Sequence, residues 1–442
     1  MKKVAFYTLG CKVNQYETEG MIDLFRNSGY KIVDFEEKAD YYIINSCTVT
    51  NQAASKSRKR VRRAKRRNPA AKVVMVGCYP QAFTDEVEEI EEVDYIIGSS
   101  GKKSIVQLLE EKDNETNKNK KSDLALNKIN DFENIKKFED MHLNQINERT
   151  RANVKIEDGC NQFCSYCIIP YARGPIKSRE PKSIIKEVKK LINNGVKEIV
   201  LTGTHLGKYG LDKKNKNQLS KIVEKIIRIQ GDFRVRLSSI EVTEVDNKLI
   251  KLMKNNDKLC SHLHLPLQNG SNVILRAMNR PYKVDKFAEV VNNLRSEIPD
   301  IALTTDIIVG FPGESDKDFE RTINFVKKMN FSRLHVFPFS ARTGTPAADM
   351  KPKSPDKIKK KRRNQLLKIN KDLMKKYQDK FVNKEKRVVV EEKRDSETGM
   401  LTGVTDNYLQ VLIDDNDKYK NKLKKVKILK LYNHKKSIGK II

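Results

Sequence analysis

The chain has 442 residues, 38% of them hydrophobic, a size and content that suit about three globular domains with ordinary cores. It carries no run of 18 or more apolar residues, so no membrane-spanning helix is expected. Against 58 Asp and Glu stand 88 Lys and Arg, a net charge of +30. That excess points to a polyanionic partner, because cationic chains gain nucleic-acid affinity by displacing counterions. A Lys/Asn-rich composition raises the charge of any surface, however, so distribution matters more than total.

At the N-terminus, Met1-Lys2-Lys3 ahead of Val4 to Cys11 superficially resembles a lipoprotein signal. The apolar stretch is short, contains Tyr and Thr and runs straight into Lys12, so no lipidation is expected. Seven cysteines, an odd count without a secretory signal, imply a reducing cytoplasmic setting and thiolates used as ligands. Three short apolar runs, Val4 to Gly10, Tyr41 to Asn45 and Val73 to Gly77, lead to Cys11, Cys47 and Cys78, with helical stretches between them. Such alternation predicts a parallel α/β sheet buried on both faces. Ligands of these sheets lie beyond the carboxyl ends of the strands, which would bring the three cysteines together. Burial as small packing residues is the competing explanation.

Between Lys56 and Arg67 nine basic side chains occupy twelve residues, and Asn68-Pro69 then stops the helix. A solvated face usually mixes in acids, so this segment is a candidate nucleic-acid contact, with Arg62, Arg63, Arg66 and Arg67 foremost. Residues 111 to 147 turn to Lys, Asn, Asp and Glu and read as a linker, with a short helix fitting Leu124 to Phe138. The α/β alternation then resumes. Strands are expected at Asn153 to Glu157, Glu198 to Thr202, Arg234 to Ser238, His262 to Leu267, Leu303 to Gly310 and Arg333 to Phe339, with helices such as Ser183 to Asn193 and Lys317 to Met329 between them. Six βα units predict a partial parallel barrel with its functional residues on the loops after the strands.

Ser354-Pro355-Asp356 reads as a helix start, and Leu366, Ile369, Leu373, Tyr377 and Phe381 mark one apolar face of that helix. Short strands follow at Arg387 to Val390, Leu401 to Ile413 and Leu423 to Leu431, and a small all-β barrel ends the chain.

The most informative segment is Cys160-Asn161-Gln162-Phe163-Cys164-Ser165-Tyr166-Cys167, a CxxxCxxC loop after the first barrel strand. Three thiolates on one loop can hold a metal centre with one coordination position open. A closed zinc site needs four ligands, and the next downstream histidine is only at His205. Ferredoxin clusters use CxxCxxC and a fourth cysteine, which also fits poorly.

This loop, with an aromatic residue before its last cysteine, resembles the hallmark of radical S-adenosylmethionine (SAM) enzymes. The likeness extends through Gly10 to Thr18, Asn45 to Thr50, Gly77 to Tyr79, Asp158 to Cys160, Leu201 to Gly207, Arg236 to Glu241, His262 to Ser271 and Gly310 to Glu314, in the order found in methylthiotransferases. The wording of KVNQYET and TGTHLG is similar to the branch that methylthiolates N6-threonylcarbamoyladenosine at tRNA position 37. Sister branches act on isopentenyladenosine in tRNA or on an aspartate of a ribosomal protein. A non-catalytic iron-sulfur RNA-binding protein is the alternative of a different class.

The resemblance implies an α/β protein with a parallel methylthiotransferase domain over 1–110, a linker over 111–147, a partial (β/α)6 radical SAM core over 148–378 and a TRAM RNA-binding barrel over 379–442. It implies two [4Fe-4S] clusters, one on Cys160, Cys164 and Cys167 and an auxiliary one on Cys11, Cys47 and Cys78. SAM would serve as radical source and as methyl donor. A 5′-deoxyadenosyl radical would take hydrogen from carbon 2 of the adenine, and sulfur would be delivered from the auxiliary site. The tRNA anticodon loop, a reducing electron donor and a sulfur source are the implied partners, in the cytoplasm and away from membranes. Tyr166, Gly203, Ser238 and Glu241 are candidate SAM contacts, the last three at strand ends. The turn Gly310 to Glu314 would border the same pocket, and His264 and Gln268 could face it or sit in the core. Asn407 and Tyr408 are candidate base contacts, with packing on the small barrel as the other role. Cys260 is left without a role beyond that of a small buried residue.

Overall fold

The computed structural model describes residues 1–114, 135–141, 150–213 and 218–442. Residues 124–134 of the proposed helix and most of the 111–147 linker lie outside the described residues, and the helix's last four positions, 135–138, are not helical. The chain divides into two compact units, one formed by 1–145, 155–180 and 340–348 and the other by the remainder.

The first unit is built on a parallel sheet ordered β2-β1-β3-β4-β5, from β1 (Lys3–Thr8), β2 (Lys31–Val33), β3 (Tyr41–Ser46), β4 (Lys72–Gly77) and β5 (Tyr95–Ile97). The central strands β3 and β4 are almost wholly buried, as expected of a sheet covered on both faces. The helices α1 (Lys12–Asn27) and α2 (Asn51–Arg67) follow β1 and β3. Thr50 caps α2 by accepting the Ala53 N–H. The edge strands β2 and β5 have only three residues each, too few for a clear periodicity, and are an addition to the three predicted strands.

The second unit opens with β6 (Arg151–Lys155), whose last residue already belongs to the first unit. There the chain forms an antiparallel pair, β7 (Glu157–Asp158) with β8 (Lys177–Ser178), which brackets the CxxxCxxC loop. Back in the second unit, β9 (Glu198–Thr202) pairs in parallel with β6 and with β10 (Arg234–Leu237). Next come β11 (His262–His264), β12 (Ala302–Val309) and β13 (Arg333–Pro338), also parallel, and bridges at Val235/Leu259 and Ser239/His264 join the two halves. The six strands make the expected partial barrel, with amphipathic helices such as Pro181–Asn193 and Asp316–Met329 between them.

The helix Asp356–Asp379 starts slightly later than Ser354 suggests, with Pro355 rather than the serine in the capping position. A closed barrel ordered β14-β15-β16-β18-β17 ends the chain, from β14 (Glu385–Arg394), β15 (Leu401–Thr405), β16 (Gln410–Ile413), β17 (Leu423–Leu431) and β18 (Lys436–Ile441). The run predicted as one strand from Leu401 to Ile413 is two. The break falls at Tyr408, whose φ of 67° is incompatible with an extended strand.

Candidate active site

All six predicted ligand cysteines lie in the first unit, and all are free thiols. Cys11 stands at the N-cap of α1 directly after β1, Cys47 follows β3, and Cys78 opens the short helix Cys78–Ala82 after β4. They occupy the carboxyl edge of three adjacent strands. Cys78 interacts electrostatically with both Cys47 and Cys11. The approach of Cys11 to Cys47 depends on Gly10, whose φ is +107° and where a Cβ would sit 2.8 Å from the Cys47 Cβ. Cys47 and Cys78 are buried, whereas Cys11 is exposed.

Cys160, Cys164 and Cys167 line the second loop. The Cys167 N–H donates to the Cys164 carbonyl at 2.9 Å, and the Cys160 N–H to the Gly174 carbonyl at 3.0 Å. The Gln162 N–H points at the Cys160 sulfur at 3.4 Å. Phe163 has a left-handed φ of 47°, is exposed and packs edge-on against Tyr171. Tyr166 is half-buried within the loop.

The donor chemistry fits iron-sulfur centres. Among the described residues no three Cys, His, Asp or Glu side chains close on a single metal ion. A cluster asks for a wider set, because each thiolate binds a different iron. Burial pushes the Cys78 thiol up to about 12, with Arg173 acting in the opposite direction. Burial raises the Cys160 thiol as well, with the Gln162 N–H in opposition. Such thiols stay protonated at neutral pH unless a metal displaces the proton, as coordinating thiols do.

Behind Cys11, Cys47 and Cys78 lies a feature that the sequence did not disclose. Arg173, 1% exposed, donates to Asn14 Oδ1 at 2.6 Å, Glu17 Oε1 at 2.8 Å and Asp158 Oδ1 at 3.0 Å. Glu17 also pairs with Lys155 at 3.0 Å and Lys102 at 3.1 Å, and Lys155 with Asp158 at 3.2 Å. Asn14 Oδ1 lies 3.7 Å from the Cys11 sulfur. One signal was present: Asn14 and Glu17 stand three and six residues beyond Cys11, on the face of α1 that meets the sheet, where apolar residues are the rule. Polar residues there need buried partners.

In the second unit Gly203 follows β9, while Ser238 and Glu241 follow β10. Ser238 is buried, and its hydroxyl has no hydrogen-bond partner among the described residues, which suits a strand-end ligand contact. Glu241 pairs with Arg280 and caps the following turn with Glu244. His264 is held by Asp306 at 3.1 Å and Thr304 at 2.9 Å, and Gln268 takes a left-handed φ of 66°. In the turn after β12, Glu314 accepts the Gly310 N–H at 2.6 Å, Asn269 at 2.8 Å and Arg362 at 2.6 Å, so the carboxylate anchors the turn to the Asp356–Asp379 helix.

Asn407 and Tyr408 pack within the protein, but against the partial barrel and the Asp356–Asp379 helix rather than on the small barrel as expected. Asn407 is fully buried and donates to the Tyr377 hydroxyl at 3.0 Å, and Tyr408 stacks on His262 at 4.4 Å with Arg236 over its ring at 4.8 Å. Cys260 is buried, and burial raises its thiol to about 11 against the pull of Arg236 and Arg234.

Residues 154–326 match the model of the radical SAM superfamily, and residues 3–98 match that of an uncharacterized protein family, UPF0004. The fold is similar to the radical S-adenosylmethionine methyltransferase TsrM from Kitasatospora setae, with a TM-score of 0.60, 14% identity and coverage of 79% of this chain and 77% of that one. Barrel, loop and matches define a radical SAM enzyme. Among curated relatives, the threonylcarbamoyladenosine tRNA methylthiotransferase MtaB of Bacillus subtilis (strain 168) is 41% identical over 97% of this chain and 94% of its own length. The MtaB of Aquifex aeolicus (strain VF5) is 39% identical over 97% of this chain and all of its own. The tRNA-2-methylthio-N(6)-dimethylallyladenosine synthase of Clostridium botulinum (strain Okra / Type B1) is 36% identical over 96% and 93%. The chain therefore belongs to the radical SAM tRNA methylthiotransferases. Membership implies a [4Fe-4S] cluster and SAM. No helix among the described residues is long and apolar enough to cross a membrane.

Proposed function

We propose that this enzyme methylthiolates carbon 2 of N6-threonylcarbamoyladenosine at position 37 of tRNA, with SAM as both radical source and methyl donor. The observation that carries the substrate is the 41% identity to a relative named for threonylcarbamoyladenosine, spread over nearly the full length of both chains. Relatives named for dimethylallyladenosine, 36% identical over a similar span, make that nucleoside the second reading.

In this proposal Cys160, Cys164 and Cys167 hold the cluster that binds SAM, and Cys11, Cys47 and Cys78 hold a second one. When bound, a three-thiolate cluster supplies the electron that cleaves SAM and an open iron for a ligand. The protein binds, orients and excludes water. Tyr166, Gly203, Ser238 and Glu241 are proposed to line the SAM site. Domains over 1–110, 148–378 and 379–442, with a linker over 111–147, divide the work between sulfur delivery, radical generation and RNA binding by the small barrel. The anticodon loop of tRNA is the proposed partner, together with an electron donor and a sulfur source.

Mass spectrometry of tRNA nucleosides from a strain lacking the gene tests the substrate. Loss of the 2-methylthio-threonylcarbamoyl nucleoside is expected, and loss of the isopentenyl counterpart instead would move the assignment to the second reading. Anaerobic reconstitution tests the chemistry: about two clusters per chain and 5′-deoxyadenosine from SAM with dithionite are expected.

A further inference from the structure

We infer that Arg173 is a positioning residue whose buried charge, balanced against Glu17, sets the reduction potential of the centre held by Cys11, Cys47 and Cys78. The inference rests on the proposed role of those three thiols.

Three observations carry it. First, the ion network is unbalanced among the described residues: Arg173, Lys155 and Lys102 pair there with two carboxylates, Glu17 and Asp158, and four of the five are at most 1% exposed with Asp158 close behind. Lys177 and Glu157, both buried, add one side chain of each sign. Arg342, 5% exposed, lies on the Cys47 side and donates to Thr48 and Asn51. An uncompensated buried cation is costly, so the excess positive charge calls for an anionic neighbour. Thiolates on Cys11, Cys47 and Cys78 supply one.

Second, Arg173 reaches the thiols through a fixed path. Its guanidinium holds Asn14 Oδ1, which lies 3.7 Å from the Cys11 sulfur, and the Asn14 amide donates to the Leu9 carbonyl at 2.7 Å and the Ser46 carbonyl at 3.0 Å. Those carbonyls immediately precede the Gly10-Cys11 turn and Cys47. Asn14 thus ties two cysteine loops to one cation. Third, Arg173 ends the helix Ile169–Arg173 that follows the CxxxCxxC loop, so the residue that faces one set of thiols is placed by the segment that carries the other.

Reduction adds one electron to the centre and breaks no bond. A fixed cation favours the more negative state, and a fixed carboxylate disfavours it. In a low-dielectric site neither is screened by solvent.

The test uses the full chain with C160A/C164A/C167A, so that only the second centre can form, reconstituted anaerobically and titrated with dithionite under EPR. R173Q is expected to make reduction at least tenfold less favourable, about 59 mV lower for one electron. E17Q is expected to move the potential the opposite way, R173K to stay near the parent, and E17Q/R173Q to return most of the way to it. Equal potentials across the series, or shifts of one sign in R173Q and E17Q, would overturn the inference. Should R173Q fail to fold or load iron, E17Q and the double variant still decide it. A triple-alanine background that binds no cluster at all removes the three-thiol assignment itself, and the inference with it; a loaded centre with an unmoved potential removes only the inference.

Discussion

Gly159 has no room for a side chain. Its φ is +91°, and a Cβ there would lie 2.0 Å from the Pro175 carbonyl oxygen, a backbone atom that cannot swing aside. Its neighbour Cys160 donates to the Gly174 carbonyl, so this close approach fixes the start of the CxxxCxxC loop. Left-handed backbone alone costs a residue with a Cβ about 1–2 kcal/mol, and the clash adds to that. G159A is therefore expected to lower the iron bound by the CxxxCxxC loop by more than half and to lower the melting temperature. Iron assay and calorimetry on the anaerobic protein check it, and full iron loading would contradict it.

A second prediction at this scale concerns Glu198, which is fully buried between Arg234 at 2.6 Å and Arg236 at 2.8 Å. Burial alone would raise its carboxyl, but the two guanidiniums outweigh that and hold it far below the ordinary value of 4.5. A carboxyl depressed in the folded state adds stability above its unfolded value, and that stability is lost as pH falls below about 4.5 toward the folded value. E198Q is expected to cost about 3–5 kcal/mol at pH 7, since it strands two buried cations. The cost should shrink between pH 5 and pH 3, as urea melts at several pH values will report. A pH-independent difference would argue against the charge as its source.

At the scale of elements, α2 shows how a charge-rich segment divides its work. Arg63 and Arg67 pair with Glu36, Lys65 with Asp94 at 2.8 Å, and Arg60 lies over the Tyr7 ring at 4.2 Å. These side chains fasten the helix to its own unit. Lys56, Lys59, Arg62 and Arg66 are exposed and share one face at helical spacing. Neutral substitutions at these four are expected to weaken tRNA binding and flatten its salt dependence, by up to about 0.7–0.9 in slope for each phosphate no longer neutralised. The same substitutions at Arg63 and Arg67 should mainly lower stability. Filter binding across a salt series separates the two sets, and equal slopes for parent and exposed-face variant would remove α2 from the RNA interface.

The same helix marks how far sequence could be read. Apolar periodicity locates β3, β4 and β9 to within a residue or two, because strands buried on both faces write themselves as unbroken apolar runs. The cysteine loops are legible because spacing alone defines a ligand set. Charge partners are not: Arg173 is six residues past Cys167, and its partners Asn14, Glu17 and Asp158 are scattered from residue 14 to 158, a pairing that no local pattern encodes. Tyr408 is ambiguous in sequence for the same reason, since stacking on His262 is a contact across 146 positions of sequence.

At the scale of the whole molecule, the second unit joins the partial barrel to the small C-terminal barrel through buried charge. Arg234 donates to the Arg387 and Val404 carbonyls at 3.1 and 2.7 Å, and Arg236 to the Thr405 and Asp406 carbonyls at 2.9 Å each. Both arginines are 1% exposed, and Glu198 holds their other nitrogens. The Gln378 amide adds a bond to the His434 carbonyl at 2.7 Å, and Gln378 Oε1 accepts from Ser437 at 3.0 Å. A module on a loose tether would not bury two guanidiniums in its partner's backbone. Hydrogen exchange is therefore expected to protect β9, β10, β15 and β16 with a common opening free energy, and deletion after Asp379 should leave a chain that is poorly folded around β9 and β10. R236M keeps the packing volume and removes the donors. It should bring the small barrel's exchange rates up at least tenfold while β1, β3 and β4 stay protected, and small-barrel protection unchanged in R236M would show that the two barrels are held by something other than this charge.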